Sequence, residues 1–203
     1  MIKIGLTGGI ATGKSTVSQL LIRAGFKVID ADLLARDVLV RYPEILKEVR
    51  SEFGEGYFDW RGEFRRKEFG NHIFRFPKLR IRYEEIIMPY IKEEINLAFK
   101  RYEDKKEGIV ILDAPTLIEN NLHNEMDYII LVWADNNTQV QRAKIRDKIS
   151  NGDAISRVNS QMSIEEKKDF ANIFINNNGD LANVIKQVDD MVEFIKTILI
   201  EEK

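Results

Sequence analysis

The segment from Gly8 to Thr16 is the feature that most restricts how this chain can fold: it reads Gly-Gly-Ile-Ala-Thr-Gly-Lys-Ser-Thr. It fits the pattern G-x-x-x-x-G-K-[ST], and it lies between a short apolar stretch and a run of apolar residues at helical spacing. Glycines let a backbone turn tightly and approach phosphate oxygens with no Cβ in the way. A helix beginning at Gly13–Lys14 would add free N–H groups and the positive end of its dipole. The segment therefore predicts a polyphosphate-binding loop between a strand and a helix.

The side chains and backbone of this loop have separate predicted roles. Lys14 is expected to reach the β- and γ-phosphates of a nucleoside triphosphate, Ser15 to ligate Mg²⁺, and Thr16 to contact the α-phosphate. The other interpretation is a glycine-rich turn that caps a helix and binds nothing, but the flanking strand and helix favour the phosphate site. The remaining nucleotide contacts are assigned to Gly8, Gly9, Ala11, Thr12 and Gly13.

Short apolar segments alternate with helical stretches, which predicts an α/β fold built on a parallel sheet. Gly25 stands where the first helix should stop. A long, charged, helical stretch follows and is predicted to be a separate helical domain, 33–106, inserted into a core made of 1–32 and 107–203. Five strands are predicted, at Ile2–Leu6, Phe26–Ile29, Gly108–Leu112, Tyr128–Val132 and Ile173–Ile175.

Capping residues predict helix starts in the second half of the chain. Thr138 and Gln141 fit a capping box for a helix over Thr138–Ile149, and Ser163 and Glu166 fit another. Asp180 is the expected N-cap of the last helix. The apolar stripe of that helix is predicted to comprise Leu181, Val184, Ile185, Val188, Val192 and Ile195.

Composition excludes several classes of protein. The 203 residues contain 31 Lys+Arg and 33 Asp+Glu, so a net charge of −2 argues against nucleic-acid binding through bulk charge. The absence of cysteine excludes disulfides, thiolate zinc sites and a cysteine nucleophile, and two histidines make a histidine-rich metal site a poor fit. No apolar run approaches the roughly 18 residues of a membrane span. No export signal is evident, so the expected location is the cytoplasm.

The chain lacks the signatures of a GTPase, which would carry an Asn-Lys-x-Asp guanine motif and an Asp-x-x-Gly switch in suitable positions. The alternative within phosphate-loop proteins is a small kinase. Such an enzyme needs an acceptor site, a base and cationic groups near the transferred phosphoryl.

Three aspartates follow predicted strands at the edge where α/β proteins bind ligands. Asp30 and Asp32 should point the same way on extended chain, with Asp32 as the base and Asp30 as a structural residue. Alternatively, one of them caps the next helix. Asp113 ends the third strand, where it would either hold Mg²⁺ through water or cap the turn before Pro115.

Two groups of basic residues have open interpretations. Arg142 and Arg146 share one helix face and could neutralise charge on the transferred phosphoryl, but on spacing alone a solvated face paired with Asp147 or Glu side chains is the better interpretation. The stretch 61–82 contains eight basic residues interleaved with Phe64, Phe69, Phe74 and Phe76. It fits either a surface for a polyanionic small molecule or single-stranded nucleic acid, or core phenylalanines with solvated arginines between them.

Segments along nearly the whole chain resemble the dephospho-CoA kinase family, and Asp30-Ala-Asp32 is the most family-specific match. The opening of the family resembles Ile4 to Thr16, and a second region resembles Val28 to Arg36. The further similar segments are Arg65-Arg66 with Ile73-Phe74, Pro115-Thr-Leu-Ile-Glu119, Gln139-x-x-Arg142-x-x-x-Arg146-Asp147, Gln161-Met162 with Lys167, and Asn177-Asn178-Gly179.

The resemblance implies a P-loop kinase fold with a five-stranded parallel sheet, a helical CoA-binding domain and a lid near 142–170. It implies magnesium- and ATP-dependent phosphorylation of the ribose 3′-hydroxyl of dephospho-CoA, the last step of coenzyme A synthesis. It makes Asp32 the base, Arg142 and Arg146 phosphate-side residues, and Asn177 and Gly179 neighbours of adenine. Substrate contacts are implied for Thr7, Asp32, Arg65, Arg66, Pro115 and Glu119. No nucleic acid, membrane or obligate protein partner is expected.

Two other functions are compatible with the loop: a P-loop kinase for a nucleoside or nucleotide, and a non-catalytic ATP-sensing module. A base at Asp32 and paired lid arginines favour an enzyme over a sensor. An RNA-binding role for the 61–82 stretch would predict steeply salt-dependent affinity. Three positions depart from the family pattern: Met88 stands where histidine is common, Thr116 where leucine is usual, and Asn176 where aspartate is frequent.

Overall fold

Five parallel strands form a single sheet in the order β2-β3-β1-β4-β5. The structure is a computed structural model that describes residues 1–73 and 75–201. All five predicted strands are confirmed, and each observed end lies within two residues of its predicted position. The strands are β1 Ile2–Gly8, β2 Lys27–Asp30, β3 Ile109–Asp113, β4 Tyr128–Trp133 and β5 Ile173–Asn176.

The central strand, β1, determines where the phosphate-binding loop emerges. It pairs with β3 on one side, where Leu6 is in register with Asp113, and with β4 on the other, where Gly8 is in register with Val132. Because all strands are parallel, the loops that follow β1, β3 and β4 leave the sheet at the same edge. Residues far apart in sequence are thereby brought to one site.

Two helices, α1 (Lys14–Arg23) and α9 (Leu181–Glu201), share the main hydrophobic core with the strands. Gly25, with φ +97°, follows the end of α1, as predicted. Asp180 accepts the Asn183 N–H at 2.9 Å, which confirms it as a capping residue of α9. The predicted α9 stripe is too wide: Leu181 is 59% exposed and Ile185 38% exposed, whereas Met191 is buried.

The helices between β4 and β5 are α6 (Asn136–Asp147), α7 (Asn151–Val158) and α8 (Ile164–Lys168). The capping box predicted for Ser163 and Glu166 is confirmed. The box predicted for Thr138 is wrong, because Asp135 is the N-cap of α6 and accepts both the N–H and the hydroxyl of Thr138. Helix α7 was not predicted from the sequence, although Ser150 caps it by accepting the Asp153 N–H at 3.1 Å.

The chain divides into two compact units, residues 31–98 and residues 1–30 together with 99–203. The first unit is helical, as expected for this stretch. Phe69 packs against Phe53, Tyr57, Phe64 and Tyr83, and Phe64 also packs against Phe58, which supports the core interpretation for these two rings. Phe74 lies outside the described residues. The helices that begin in the unit 31–98 are α2 Ala31–Arg41, α3 Pro43–Phe53, α4 Arg66–Ile73 and α5 Pro77–Asp104. Helix α5 ends in the other unit.

Across residues 1–73 and 75–201, no helix is both long enough and apolar enough to cross a bilayer.

Candidate active site

The loop after β1 is held in a tight turn by its own backbone. Thr12 donates its N–H to the Gly9 carbonyl oxygen at 3.3 Å and its hydroxyl to the same oxygen at 2.9 Å. Ala11 (φ +59°) and Gly13 (φ +90°) adopt the left-handed conformation, and α1 begins at Lys14. The N-terminal N–H groups of α1 are thus presented at the loop, as an anion-binding site requires.

Close packing around the loop leaves no room for side chains at its glycines. A Cβ at Gly8 would lie 2.6 Å from the Thr12 hydroxyl oxygen, and one at Gly9 would collide with the Gln139 side chain. A Cβ at Gly13 would collide with Asn177, whose amide donates to the Thr12 carbonyl oxygen at 2.7 Å. The predicted adenine-side residue Asn177 therefore braces the loop, while Gly179 is exposed.

Lys14 and Asp113 form an ion pair between the loop and the end of β3. Their side chains are only 14% and 8% exposed. Ser15 and Thr16, in the first turn of α1, are exposed. In the described structure, the lysine predicted to reach phosphate thus contacts the carboxylate predicted to hold a metal.

The carbonyl oxygen of Pro115 is a meeting point of three segments. It accepts the Thr7 hydroxyl at 3.2 Å and the Lys167 ammonium at 2.6 Å. Lys167 also contacts Glu119 Oε1 at 3.0 Å, and that oxygen accepts the Met162 N–H at 3.1 Å. The predicted substrate-side residues Thr7, Pro115 and Glu119 are therefore brought together.

Lys167 is a second buried cation at this site, and no role was predicted for it from the sequence. Its side chain is 0% exposed. Burial lowers the pKa of its ammonium, the neighbouring Glu119 carboxylate opposes that effect, and the charge of Lys14 lowers the pKa further. A lysine on a short helix is ordinarily solvated, so the surrounding pattern offered no signal of burial.

The two predicted lid arginines differ in their surroundings. Arg146 donates twice to Asp147, at 2.8 and 3.1 Å, and Arg157 donates to the same carboxylate at 2.8 Å. Hydrogen bonds from Arg146 lower the pKa of Asp147. Arg142 is half-buried and, among the described residues, has no carboxylate within ion-pair distance. Its guanidinium is therefore the more available of the two for an anionic ligand.

A cavity of about 470 Å³ lies beside the loop at Gly9. Polar residues from the start of α6, the α7–α8 connection and the start of α8 form most of its wall. They include Asp135, Asn136, Gln139, Asn159, Gln161, Ser163, Glu165 and Glu166. The helices α6 and α7 also pack on Ile10 and Ala11, so the predicted lid region contacts the phosphate loop directly.

The geometry predicted for Asp30 and Asp32 is wrong in one respect. Asp30 ends β2, but α2 begins immediately at Ala31, so Asp32 lies in the first helical turn and not on extended chain. A helix turns about 100° per residue, whereas side chains two apart on a strand point the same way. Both residues are exposed, and Asp32 remains the predicted base.

The basic stretch 61–82 is less positive than its composition suggested. Arg65 pairs with Glu68 at 3.1 Å, and Arg82 pairs with Glu52 and Glu85 at 3.0 Å each. Arg66 begins α4 and is exposed. Glu68 lies inside this stretch, whereas Glu52 and Glu85 lie outside it, so a count of basic residues within 61–82 did not include them.

The oxygen ligands at the end of β3 and the start of α1 are of the kind that Mg²⁺ accepts. Mg²⁺ usually keeps several waters and binds one or two protein oxygens together with substrate phosphates. The Asp113 carboxylate at the end of β3 and the Ser15 hydroxyl in the first turn of α1 are the oxygens predicted to contribute to such a site. Among the described residues, no cluster of three or more His, Cys, Asp or Glu is placed to hold a metal ion.

The parallel sheet and the braced glycine loop define a P-loop kinase fold. A structure from Thermus thermophilus has a TM-score of 0.77 at 28% identity, covering 94% of this chain and 95% of the other. A dephospho-CoA kinase from Campylobacter jejuni has a TM-score of 0.70 at 25% identity, covering 95% and 96%. A shikimate kinase from Bacteroides thetaiotaomicron, at 15% identity and a TM-score of 0.52, shares the fold alone.

The chain belongs to the dephospho-CoA kinase family, whose sequence model matches residues 2–183. It is 59% identical over 194 residues to a dephospho-CoA kinase of Clostridium perfringens, covering 96% of this chain and 98% of that protein. A dephospho-CoA kinase of Clostridium tetani is 42% identical over 198 residues, covering 97% and 87%. The family predicted from the sequence motifs is thus confirmed.

Two of the three departures from the family pattern make local hydrogen bonds. Thr116 accepts the Asn120 side-chain amide at 2.8 Å, and the side-chain oxygen of Asn176 accepts the Asn178 N–H at 3.0 Å. An asparagine oxygen thereby provides the acceptor that an aspartate would provide. Met88 is half-buried in α5, and its neighbours offer no explanation for the replacement.

Proposed function

We propose that this protein transfers the γ-phosphoryl group of ATP to the ribose 3′-hydroxyl of dephospho-CoA, producing coenzyme A and ADP. The observation that carries the proposal is family membership over residues 2–183, combined with a phosphate loop whose lysine contacts the carboxylate ending β3. A kinase of this family uses ATP as donor. The roles that the following paragraphs give to individual residues in donor binding, acceptor binding and phosphoryl transfer are part of this proposal.

The donor is held by the loop from Gly8 to Thr16. The backbone N–H groups of this loop and of the first turn of α1 surround the phosphates, and the glycines allow close approach. Lys14 leaves Asp113 to pair with the β- and γ-phosphates, because a polyphosphate carries more negative charge than one carboxylate. Asn177 holds the loop in shape, and Gly179 follows it at the adenine side.

The acceptor side is assigned to Asp32, with binding contacts from Thr7, Pro115 and Glu119, and from Arg65 and Arg66. The 3′-hydroxyl oxygen bonds to the γ-phosphorus while the Asp32 carboxylate accepts the hydroxyl proton. The bond from the γ-phosphorus to the ADP oxygen breaks. Arginines 65 and 66 supply cations for the diphosphate of the acceptor.

Charge that develops on the transferred group is neutralised by Lys14, Arg142 and Arg146. Mg²⁺, held by Ser15 and Asp113 together with the phosphates, would supply further positive charge. Arg146 must exchange part of its pairing with Asp147 for phosphate, whereas Arg142 needs no such exchange.

The test is ADP release by the purified protein with ATP, Mg²⁺ and dephospho-CoA, compared with reactions that lack an acceptor or contain nucleoside monophosphates. We expect ADP release that depends on dephospho-CoA. Mass spectrometry should detect one added phosphate on the product, and 3′-nucleotidase digestion should locate it at the 3′-position. Greater turnover with a nucleoside monophosphate would contradict the substrate. Tight ATP binding without turnover on any acceptor would favour the sensing module. A Lys14→Ala preparation controls for contaminating kinases.

We also propose that the enzyme acts in the cytoplasm on a small-molecule substrate without an obligate protein partner. The use of ATP as the phosphoryl donor supports a cytoplasmic location.

A further inference from the structure

We propose that Lys167 is a positioning residue for phosphoryl transfer, whose buried ammonium fixes the turn after β3 and thereby the Asp113 carboxylate beside the phosphate loop. This inference rests on the proposed function, because its main readout is turnover. It assigns a role to a residue of α8 that is separated from Asp113 by 54 positions in the sequence.

The ammonium of Lys167 holds both ends of the segment 115–119. It donates to the Pro115 carbonyl oxygen at 2.6 Å and contacts Glu119 Oε1 at 3.0 Å. A lysine is rarely this buried unless it is paired, and an ammonium has three donors in different directions. One cation can therefore fix the position of a carbonyl and of a carboxylate at the same time.

The fixed segment continues directly into the proposed metal-binding and phosphate-binding residues. Pro115 lies two positions after Asp113, and its carbonyl oxygen also accepts the Thr7 hydroxyl at 3.2 Å. Between them, the Ala114 N–H donates to the Leu6 carbonyl oxygen at 3.0 Å. The turn after β3 is thus held on one side by β1, immediately before the glycine loop, and on the other side by α8.

Glu119 extends the connection to the segment that precedes α8. Its Oε1 accepts the Met162 N–H at 3.1 Å, whereas its Oε2 is buried and has no hydrogen-bond partner among the described residues. Removal of the Lys167 charge would leave this carboxylate without its cation. Glu119 is 22% exposed, and because an uncompensated charge at a partly buried position is unfavourable, we expect the 115–119 segment to move. A displacement near 1 Å in a catalytic site can cost about 100-fold in rate.

The experiment compares Lys167→Met with Lys168→Met, the adjacent lysine of α8, which is 36% exposed and pairs with Glu165 at 2.7 Å. Steady-state kinetics are measured at a temperature at which circular dichroism shows each variant to be folded. For Lys167→Met we expect kcat to fall by about 100-fold with the KM for ATP within about threefold of wild type, because the loop amides and Lys14 remain. Lys168→Met should keep wild-type kcat.

A second variant, Glu119→Gln, keeps the shape of the side chain and removes its charge. We expect it to lower kcat as well, and the double variant with Lys167→Met to lose less than the product of the two single losses. A near-normal kcat for Lys167→Met would overturn the inference, as would multiplicative losses or an effect confined to the KM for dephospho-CoA. If Lys167→Met does not fold, normal kcat for Glu119→Gln overturns it and a reduced kcat supports it.

The two proposals fail in different ways. Wild-type protein without activity on dephospho-CoA would contradict the proposed function. Active wild-type protein together with a fully active Lys167→Met variant would contradict only the positioning role.

Discussion

The Lys14 ammonium contacts the Asp113 carboxylate, so the cation of the phosphate loop is held by the residue that ends the neighbouring strand. The pair keeps two charges compensated at a site where both are largely buried. A polyphosphate that enters the loop would compete for the lysine and release the carboxylate for a metal ion. The same pair can therefore stabilise the free protein and respond to the nucleotide.

Replacing Lys14 with alanine is expected to lower kcat by about 100-fold or more, because the group that stabilises charge on the transferred phosphoryl is lost. The Asp113 side chain, 8% exposed, would also lose its partner, so the melting temperature should fall. ADP release and thermal denaturation test the two effects. Lys186→Ala, at an exposed position of α9, is the matched control and should change neither. Unchanged kcat for Lys14→Ala would contradict the assignment.

Gly13→Ala should destabilise the protein and weaken ATP binding, because Gly13 has φ +90° and an added Cβ collides with Asn177. The left-handed conformation alone costs a non-glycine residue about 1–2 kcal/mol. Gly70→Ala is the control: it lies inside α4 with nothing within 4 Å of an added Cβ. Helix propensity predicts that this change is neutral or stabilising by up to about 1 kcal/mol. Urea denaturation measures the free energy of unfolding of each variant, and nucleotide titration measures its affinity for ATP. Equal effects of Gly13→Ala and Gly70→Ala would be inconsistent with the loop geometry.

The loop and the strands could be predicted because their signals are local. The spacing from Gly8 to Ser15 specifies a turn and a helix start, and apolar runs specify buried strands. The Lys14–Asp113 pair spans 99 positions and forms only because β1 and β3 are neighbours in the sheet. Sequence periodicity specifies the strands but not this pairing.

Two errors have local physical causes, whereas the burial of Lys167 was missed for a long-range reason. Thr138 was given the capping role because it begins a box pattern, yet Asp135 accepts two hydrogen bonds and starts the helix earlier. The prediction for Asp32 continued the extended chain of β2 past Asp30, whereas the helix that was considered as the alternative begins at Ala31. The burial of Lys167 depends on Pro115 and Glu119, both distant in sequence, so no local pattern could reveal it.

Asp32→Asn is expected to lower kcat by about 100-fold or more while ATP affinity stays within about threefold, because an amide cannot accept the hydroxyl proton. Asp30→Asn, at the end of β2, is the comparison and should keep kcat within about threefold. Kinetics with dephospho-CoA and titration with a non-hydrolysable ATP analogue separate chemistry from binding. Near-normal turnover of Asp32→Asn, or a larger loss for Asp30→Asn, would show that the base is assigned to the wrong residue.

Arg142→Ala should impair turnover more than Arg146→Ala. Arg146 is already engaged by Asp147 at 2.8 Å and must give up part of that pairing, whereas Arg142 forms no ion pair within 4 Å among the described residues and acts on Asp135 only at longer range. We expect a loss in kcat of about 100-fold for Arg142→Ala and about tenfold for Arg146→Ala. Steady-state kinetics with saturating ATP and dephospho-CoA measure the difference, and the reverse order would contradict it.

The stabilising effect of Asp147 should disappear in acid. Hydrogen bonds from Arg146, with a contribution from Arg157, hold the pKa of Asp147 below its ordinary value. A carboxyl group whose pKa is lowered by folding stabilises the folded state above its unfolded pKa of about 4, and that stabilisation is lost as the pH falls through the lower, folded value. Asp147→Asn should therefore lower the free energy of unfolding at pH 7, and the difference from wild type should shrink as the pH falls below about 4. Urea denaturation at several pH values measures it, with Asp190→Asn on the exposed face of α9 as the control. A difference that stays constant with pH would mean that Asp147 contributes through packing and not through its charge.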